Sequence, residues 1–426
     1  MLDYKFIKDN LEAVKQNIVN RNMTADADLV VKLYDEHTAL VTKLQDLQQK
    51  RNENAKAMKQ KLDDAQRQEL IAAGKQIKDE ISKVEAEEKD TANKLEEAAR
   101  QIPNMVHPQA PVGKLDTENL EVKKVGTPRK FDFEPKDHVE LGESLDIIDF
   151  DRGTKVSGPK FYYLKNEAVF LEQALIMYAL NTLRKHNFQM FITPDVAKED
   201  VLKGIGFNPR GNESNVYSIE DEGTCLVATA EITLGGYHQN EILDKTSLPR
   251  FYGGLSHCFR REAGAAGQFS KGLYRVHQFD KVEMFAYATP EQSDEIHEKL
   301  RLIEEEIFEG LGLPFHVVDT CTGDLGAPAY RKWDLEAWMP GRNGGEYGEV
   351  TSTSNCTDYQ ARRLNIKYKD DDGKNKYVHT LNGTAIAVGR AMLAILENYQ
   401  NADGSVTIPP VLVPYCGFDK ILPKNK

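Results

Sequence analysis

The chain has 426 residues, of which 40% are hydrophobic and 29% charged, enough for two or three domains with buried cores. Its net charge of −12 argues against wholesale nonspecific nucleic-acid binding, so any polyanion has to be met at local patches. Charged residues interrupt the first ten positions and no uncharged apolar run approaches the ~18 residues of a membrane span, so the expectation is a chain with neither secretory signal nor membrane anchor.

Cys225, Cys258, Cys321, Cys356 and Cys416 are odd in number, and no two lie closer than 33 residues. That spacing offers neither a zinc knuckle nor a disulfide frame, which makes a reducing, cytoplasmic setting the natural expectation and zinc an unexpected cofactor.

In chain order, the first feature is a stretch from Asp26 to Ile102 with no proline and with Gly74 as its only glycine. Apolar residues recur at Leu33, Leu40, Leu44, Leu47, Met58 and Leu62, then at Leu70, Ile77, Ile81, Val84, Leu95 and Ala98, mostly in alternating steps of three and four. The phase breaks over Leu62 to Gln66, where two carboxylates stand at the start of a second helix. The spacing predicts an antiparallel two-helix coiled-coil arm, each limb about 30 residues and ~45 Å long.

Near the tip of the first limb lie Lys50, Arg51, Lys56, Lys59 and Lys61, relieved only by Glu53. A solvated helix face and a phosphate-binding surface share that composition, and a heptad hairpin serves dimerisation as readily as RNA. The next segment, from Ile102 to Gly158, holds five prolines and five glycines and reads as a linker with short irregular pieces. The domain plan is therefore an arm over 1–105, a linker and lead-in over 106–160 and a catalytic domain over 161–426.

Val169 to Lys185 is an amphipathic helix, followed by a short strand from Phe188 to Ile192 that ends at Thr193, Pro194, Asp195. Further strands are expected at Arg250 to Gly253, Lys281 to Ala288, Phe315 to Val318 and Lys332 to Met339, with helices over Glu291 to Phe308 and Ile386 to Gln400. Runs of strands with occasional helices predict an α+β domain, an antiparallel β-sheet flanked by helices.

No phosphate-binding P-loop is present, and Gly204, Ile205, Gly206 opens no dinucleotide fingerprint because Pro209 follows. A nucleotide would have to be held by side chains. Such side chains stand in CFRREAGAAG, Cys258 to Gly267, and GLYRVHQFDKVEMF, Gly272 to Phe285. Arg260 and Glu262 alternate, so on a strand both point to one face, suiting a guanidinium fork for phosphate beside a carboxylate for an exocyclic amine. A surface salt-bridge ladder gives the same pattern. Ala263 to Gly267, built of alanine and glycine, reads as a loop able to close over a ligand.

These two stretches resemble the second signature motif of the class II aminoacyl-tRNA synthetases in its seryl-tRNA synthetase version. The helix and strand ending at Thr193, Pro194, Asp195 resemble the first motif, and LNGTAIAVGR, Leu381 to Arg390, the third. Thr229, Ala230, Glu231 resembles the family's serine-binding signature, EVTSTSN with DYQARR its ATP and metal segment, and the hairpin its tRNA-binding arm. The departures are small: Ala265 and Ala266 stand where the loop often has serine, Thr384 where serine is common, Trp333 for a tyrosine and Val413 for an arginine.

The resemblance implies ATP-dependent activation of L-serine to seryl-adenylate and its transfer to the 3′-terminal ribose of tRNA(Ser), with tRNA(Sec) as a further acceptor, by a homodimer that binds neither DNA nor membrane. It implies Mg²⁺ with the ATP, on Glu349 and Ser352. It assigns Arg260 to the α-phosphate and the incoming carboxylate, Glu262 to the adenine amino group, Phe279 and Arg390 to the faces of the adenine, and Arg275 to the outer phosphates. Arg261, Val276, Val350 and Thr351 complete the implied ATP site. Glu283, Thr384 and Asn382 fall to serine and its hydroxyl, Thr229, Ala230 and Glu231 to its ammonium and surroundings, while His257 and His277 are structural. The five cations at the arm's tip are the implied tRNA contacts.

Two alternatives carry different expectations. A synthetase-like paralogue loading an amino acid onto another carrier has no use for a long arm, and an inactive coiled-coil regulator has no reason to keep Arg260, Glu262, Glu283, Glu349, Ser352 and Arg390 together.

Overall fold

A computed structural model describes residues 1–208, 215–262 and 269–424. The chain divides into two compact units, Met1–Met105 and Val106–Lys426.

The first unit is helical. Two short helices, α1 (Tyr4–Asp9) and α2 (Leu11–Asn20), precede the two long limbs, α3 (Ala27–Ala57) and α4 (Asp64–Gln101). Each limb starts on an aspartate whose side chain takes up an otherwise unpaired backbone N–H. Asp26 accepts from Leu29 N at 2.9 Å, and Asp63 makes a reciprocal capping box with Gln66, so the sequence break at 62–66 is the turn of the hairpin. The seam closes on Leu47, Ile81 and Val84, with Leu40, Leu44 and Ile77 packed around them. At the unit's base, the side chains of buried Asn17 and Arg21 both donate to the carbonyl of Asn104, at 3.0 and 2.8 Å, tying its start to its end.

The second unit is built on an eight-stranded sheet. In chain order its strands are β1 (Leu120–Val125), β2 (Gln189–Ile192), β3 (Arg250–Phe259), β4 (Gln278–Ala288), β5 (Phe315–Asp319), β6 (Arg331–Met339), β7 (Glu346–Asn355) and β8 (His379–Ala387). Across the sheet they run β1-β5-β6-β7-β8-β4-β3-β2, every pair antiparallel except β2 with β3. Helices α5 (His138–Ser144), α6 (Glu167–Lys185), α8 (Ser293–Gly310) and α9 (Val388–Asn398) share the main core with the sheet, through Leu171, Leu175, Ile303, Ile307, Met392 and Leu396. Between α6 and α8, the helix α7 (Ala230–Gly236) caps a second apolar cluster around Tyr252, Phe285 and Tyr287.

Two expectations shift. The proline-rich stretch before residue 160 contributes an edge strand and helix α5, because its prolines fall outside these elements. Ile386 and Ala387 finish β8 instead of opening a helix, since their β-pairing with β4 outlasts the helical pattern.

Among the described residues, three β-bulges interrupt the regular alternation of side chains across the sheet, one of them at Val122 on the edge strand β1. Opposite β6, Leu335 pairs with Thr351 but Glu336 with Glu349, so Val350 is an extra residue. Opposite β4, Val282 pairs with Ile386 but Glu283 with Thr384, leaving Ala385 extra.

Candidate active site

A cleft of about 820 Å³, its open mouth included, lies on the sheet face away from α8 and is lined from five directions. From β4 come Phe279, Lys281 and Glu283, which share a face because strand side chains alternate. From β7 come Glu349 and Ser352. Three residues apart, they would face opposite ways on a regular strand, and the bulge at Val350 turns both toward the cleft. The same bulge sends the hydroxyl of Thr351 to the buried carboxyl of Glu304 on α8, at 3.0 Å. Asn382 and Thr384 come from β8, Thr229 and Glu231 from the start of α7, and Arg390 from α9.

Arg260 and Glu262 reach the cleft by a route that strand alternation does not predict. The strand ends at Phe259, and Glu262 sits in left-handed backbone at φ +50°, so both residues lie past the strand and still line the cleft. Arg260 is tied down by His277, whose carbonyl accepts from Arg260 N at 2.9 Å and whose Nδ1 donates to the Arg260 carbonyl at 2.8 Å. Its guanidinium lies 5.2 Å from the ring centre of Phe279 and donates through Nε to the Ala228 carbonyl at 3.2 Å. The Glu262 carboxylate takes a 2.5 Å bond from Arg275. Arg390 stacks 4.6 Å from the Tyr274 ring and donates to the Glu349 carbonyl at 2.9 Å, with the Glu349 carboxylate 3.4 Å away.

Charge inside the cleft is arranged in pairs and near-pairs. Lys281 and Glu283 form an ion pair at 7% and 2% exposure, and Thr229 Oγ1 donates to Glu283 at 3.4 Å. Burial raises the Glu283 carboxyl against the pull of Lys281. Burial, and then the charge of Glu283, push Glu231 up to about 7, although Gln360 and Asn382 donate to it at 2.8 and 3.0 Å. Glu349 goes the other way: burial opposes its charge, but Arg390, Lys332 and Arg260 outweigh that and hold it below the usual carboxylate range. Beneath it, burial lifts Asp334 to about 7 in spite of Lys332 at 3.0 Å.

Of the residues expected at the site, Thr229, Glu231, Arg260, Glu262, Arg275, Val276, Phe279, Glu283, Glu349, Val350, Thr351, Ser352, Asn382, Thr384 and Arg390 converge on this cleft. Ala230 and Arg261 do not line it. Ala230 is buried in the first turn of α7, and the Arg261 side chain is exposed while its N–H donates to Asn215 O. Ala263 to Gly267, with Ala265 and Ala266, lie outside the described residues. His257 stands away from the cleft, bonded to Asp195 at 2.8 Å. The sequence reading missed Lys281, Tyr274 and Phe207. Alternation with Phe279 and Glu283 would have found Lys281, whereas nothing marks Phe207 as a wall residue.

In the first unit, the five expected cations form a distinct patch. Lys50, Arg51 and Lys56 lie on the last turns of α3, Lys59 and Lys61 in the turn after it, all exposed, and among the described residues none makes an ion pair. Arg67, Lys75 and Lys78, early on α4, make none either, whereas nearer the base Lys8, Lys15, Lys43, Lys94 and Arg100 each pair with a carboxylate. Cations left unneutralised thus concentrate toward the hairpin's turn.

Comparison with known proteins covers both units. Residues 1–106 match the family model "Seryl-tRNA synthetase N-terminal domain" and residues 216–399 the model "tRNA synthetase class II core domain (G, H, P, S and T)". The chain is 75% identical over 421 residues to a serine–tRNA ligase of Treponema denticola, covering 99% of this chain and all of that one. It is 57% identical to that of Borrelia recurrentis over the full length of both. Among solved structures, the seryl-tRNA synthetase of Pyrococcus horikoshii complexed with ATP is similar at TM-score 0.91 and 41% identity, covering 100% of both chains. The cytoplasmic serine–tRNA ligase of Naegleria fowleri in complex with AMP is similar at TM-score 0.87 and 32% identity, covering 100% of this chain and 99% of that one.

Proposed function

The chain belongs to the seryl-tRNA synthetases of class II, and from that premise we propose how its residues divide the work of joining serine to tRNA. It activates serine with ATP and charges tRNA(Ser). The observation that carries the residue assignment is the convergence of Arg260, Glu262, Phe279, Glu283, Glu349, Ser352 and Arg390 on one cleft.

In the first step an oxygen of the serine carboxylate attacks the α-phosphate and pyrophosphate leaves; in the second a terminal ribose hydroxyl of tRNA attacks the acyl carbon and AMP leaves. The carboxylate is already ionised at pH 7, so the first step needs charge neutralisation more than a base. Arg260, held by His277 and Ala228, supplies a fixed guanidinium for the α-phosphate and the carboxylate that meets it. Arg275 serves the outer phosphates. Phe279 and Arg390 offer flat surfaces for the adenine, and Glu262 an acceptor for its amino group.

On the serine side, Glu283 and Thr384 face the hydroxyl, beside Asn382. Discrimination against alanine then follows from leaving the buried Glu283 and Thr384 one hydrogen bond short. Glu231 holds the ammonium.

Glu349 and Ser352 suit a hard cation: both are oxygen donors, the bulge brings them to one wall, and neighbouring cations keep Glu349 ionised. Among the described residues no group of three or more His, Cys, Asp or Glu could hold a metal, so a Mg²⁺ here would draw its remaining ligands from nucleotide and water. Bound there, Mg²⁺ would offset phosphate charge.

The unneutralised cations around the hairpin's turn support tRNA binding by the arm. A homodimer is supported by strand β2, whose outer edge pairs with no strand among the described residues and which carries Ile192 at 85% exposure, and by exposed Val169, Phe170 and Met177 on α6. Residence in the cytoplasm is in keeping with five cysteines that are all free thiols, and no described helix is long and apolar enough to cross a membrane.

Serine-dependent exchange of pyrophosphate into ATP, repeated as tRNA charging, tests the whole. Exchange and charging with serine, and neither with alanine, are expected; exchange without charging would point to another carrier, and neither activity to a regulator.

A further inference from the structure

The cleft wall from Leu273 to Val276 is held from behind by a histidine that takes no part in either chemical step. His138 opens α5 and is 1% exposed. Its Nε2 stands 3.1 Å from the backbone N of Leu273. That N–H can only donate, so Nε2 accepts, and the ring proton is on Nδ1, which donates to Glu397 Oε1 at 2.8 Å. Glu397, equally buried in α9, also takes the backbone N–H of His138 at 3.1 Å and, on its other oxygen, that of Gly341 at 2.7 Å. The imidazole thus bridges a fully used carboxylate on one side and a wall backbone on the other.

Gly272 shows that the approach is built in. It has φ +55°, and a Cβ there would stand 2.1 Å from His138 Nε2, so only glycine leaves the ring its place. One residue earlier, Lys271 pairs with Asp137, the residue that caps α5. On the cleft side, the next residue after Leu273 accepts from Arg390 Nε at 3.3 Å through its carbonyl, and Arg275 follows directly. None of the serine-side residues lies on this segment.

We infer that His138 is a positioning residue for the nucleotide-facing wall: through Leu273 it sets where Tyr274 and Arg275 stand, without touching substrate. The inference rests on the reading of that wall as the ATP side of the cleft. A core histidine that served stability alone would lower the melting temperature and leave the Michaelis constants where they are.

His138→Leu keeps the bulk and removes both side-chain bonds, while His138→Gln keeps one acceptor and one donor. In serine-dependent pyrophosphate exchange by the full chain, His138→Leu should raise KM for ATP about tenfold with KM for serine within about twofold, and His138→Gln should recover most of the loss. ATP and serine constants that stay put or move together in folded His138→Leu would overturn the inference, as would a glutamine variant no better than leucine. Should His138→Leu not fold, Gly272→Ala denies the ring its place from the other side. The same ATP-selective rise is expected there, and unchanged constants would overturn the role. If the wild-type chain shows no serine-dependent exchange, the ATP reading itself fails. Amide exchange at Leu273 then decides the clamp separately, by running about tenfold faster in whichever variant folds or by not changing.

Discussion

In the arm, Lys43 and Glu80 face each other across 3.8 Å at 53% and 44% exposure; in the catalytic unit, Lys281 and Glu283 make the same kind of pair at 7% and 2%. The first pair bridges two limbs in water and contributes little to stability. The second has lost its solvent, and each member depends on the other. Across the arm this arrangement holds generally, with a thin apolar seam, cations other than Lys89 mostly paired toward the base and cations unpaired around the turn. The catalytic unit sets Glu231, Glu283, Glu349, Lys281, Arg260 and Arg390 around one cleft above a dense core. On the proposed roles, the first region presents charge outward and should tolerate change. The second holds fixed charges around the attacked phosphate and should not.

The contrast sharpens first at Arg260. Arg260→Lys keeps the charge but loses the planar fork, and adenylate formation should fall by the roughly 3 to 4 kcal/mol typical of one transition-state donor. Pre-steady-state pyrophosphate release checks this, and a rate near wild type would defeat the assignment. Next in size is Lys281→Met, which leaves Glu283 buried beside Glu231 without its cation. A loss of about 3 kcal/mol in unfolding free energy is expected by denaturant titration. The same change at Lys43 should cost less than about 1 kcal/mol, and equal losses at the two sites would erase the distinction.

Glu231 gives the third test. Burial pushes its carboxyl up to about 7, and on the proposed assignment the ammonium meets the ionised form, so serine binding should be linked to release of one proton. Below pH 7 the serine KM should climb by up to about tenfold per pH unit, flattening above it, and Glu231→Gln should lose the slope. A pH-independent KM in the wild type would remove Glu231 from the ammonium. The smallest effect belongs to the arm. Each of Lys50, Arg51, Lys56, Lys59 and Lys61 that meets a phosphate should, when replaced by glutamine, flatten the log–log salt dependence of tRNA binding by about 0.7 to 0.9. An unchanged slope would make the patch a solvated face.

How much of this could be read from the chain differs between the regions in the same way. The arm's geometry follows from local rules: periodicity placed Leu40, Leu44, Leu47, Ile77, Ile81 and Val84 in the seam, and the phase break over Leu62 to Gln66 with its two carboxylates marked the turn. Helices α1 and α2, of six and ten residues, are too short for a periodic signature, and tertiary packing settles them. In the catalytic unit, the strand expected from Lys281 begins at Gln278, and that extension is what gives Phe279 and Glu283 a common face by alternation. Alternation could not give Glu349 and Ser352 one, because a bulge is a property of two strands counted against each other. Resemblance named those two residues where local physics would have separated them. For Arg260 and Glu262 alternation named the right face on a premise that fails, since both lie past the end of β3 and Glu262 sits in left-handed backbone.

On this division of labour, adenylation belongs to the second unit and tRNA reach to the first. Deleting 35–100 and joining the ends, with folding and mass checked by circular dichroism and light scattering, allows pyrophosphate exchange and tRNA charging to be measured on the same preparation. Serine-dependent exchange near the wild-type rate is expected, with charging reduced to a trace. Exchange lost in a folded protein of wild-type assembly state, or charging that survives the deletion, would contradict the division.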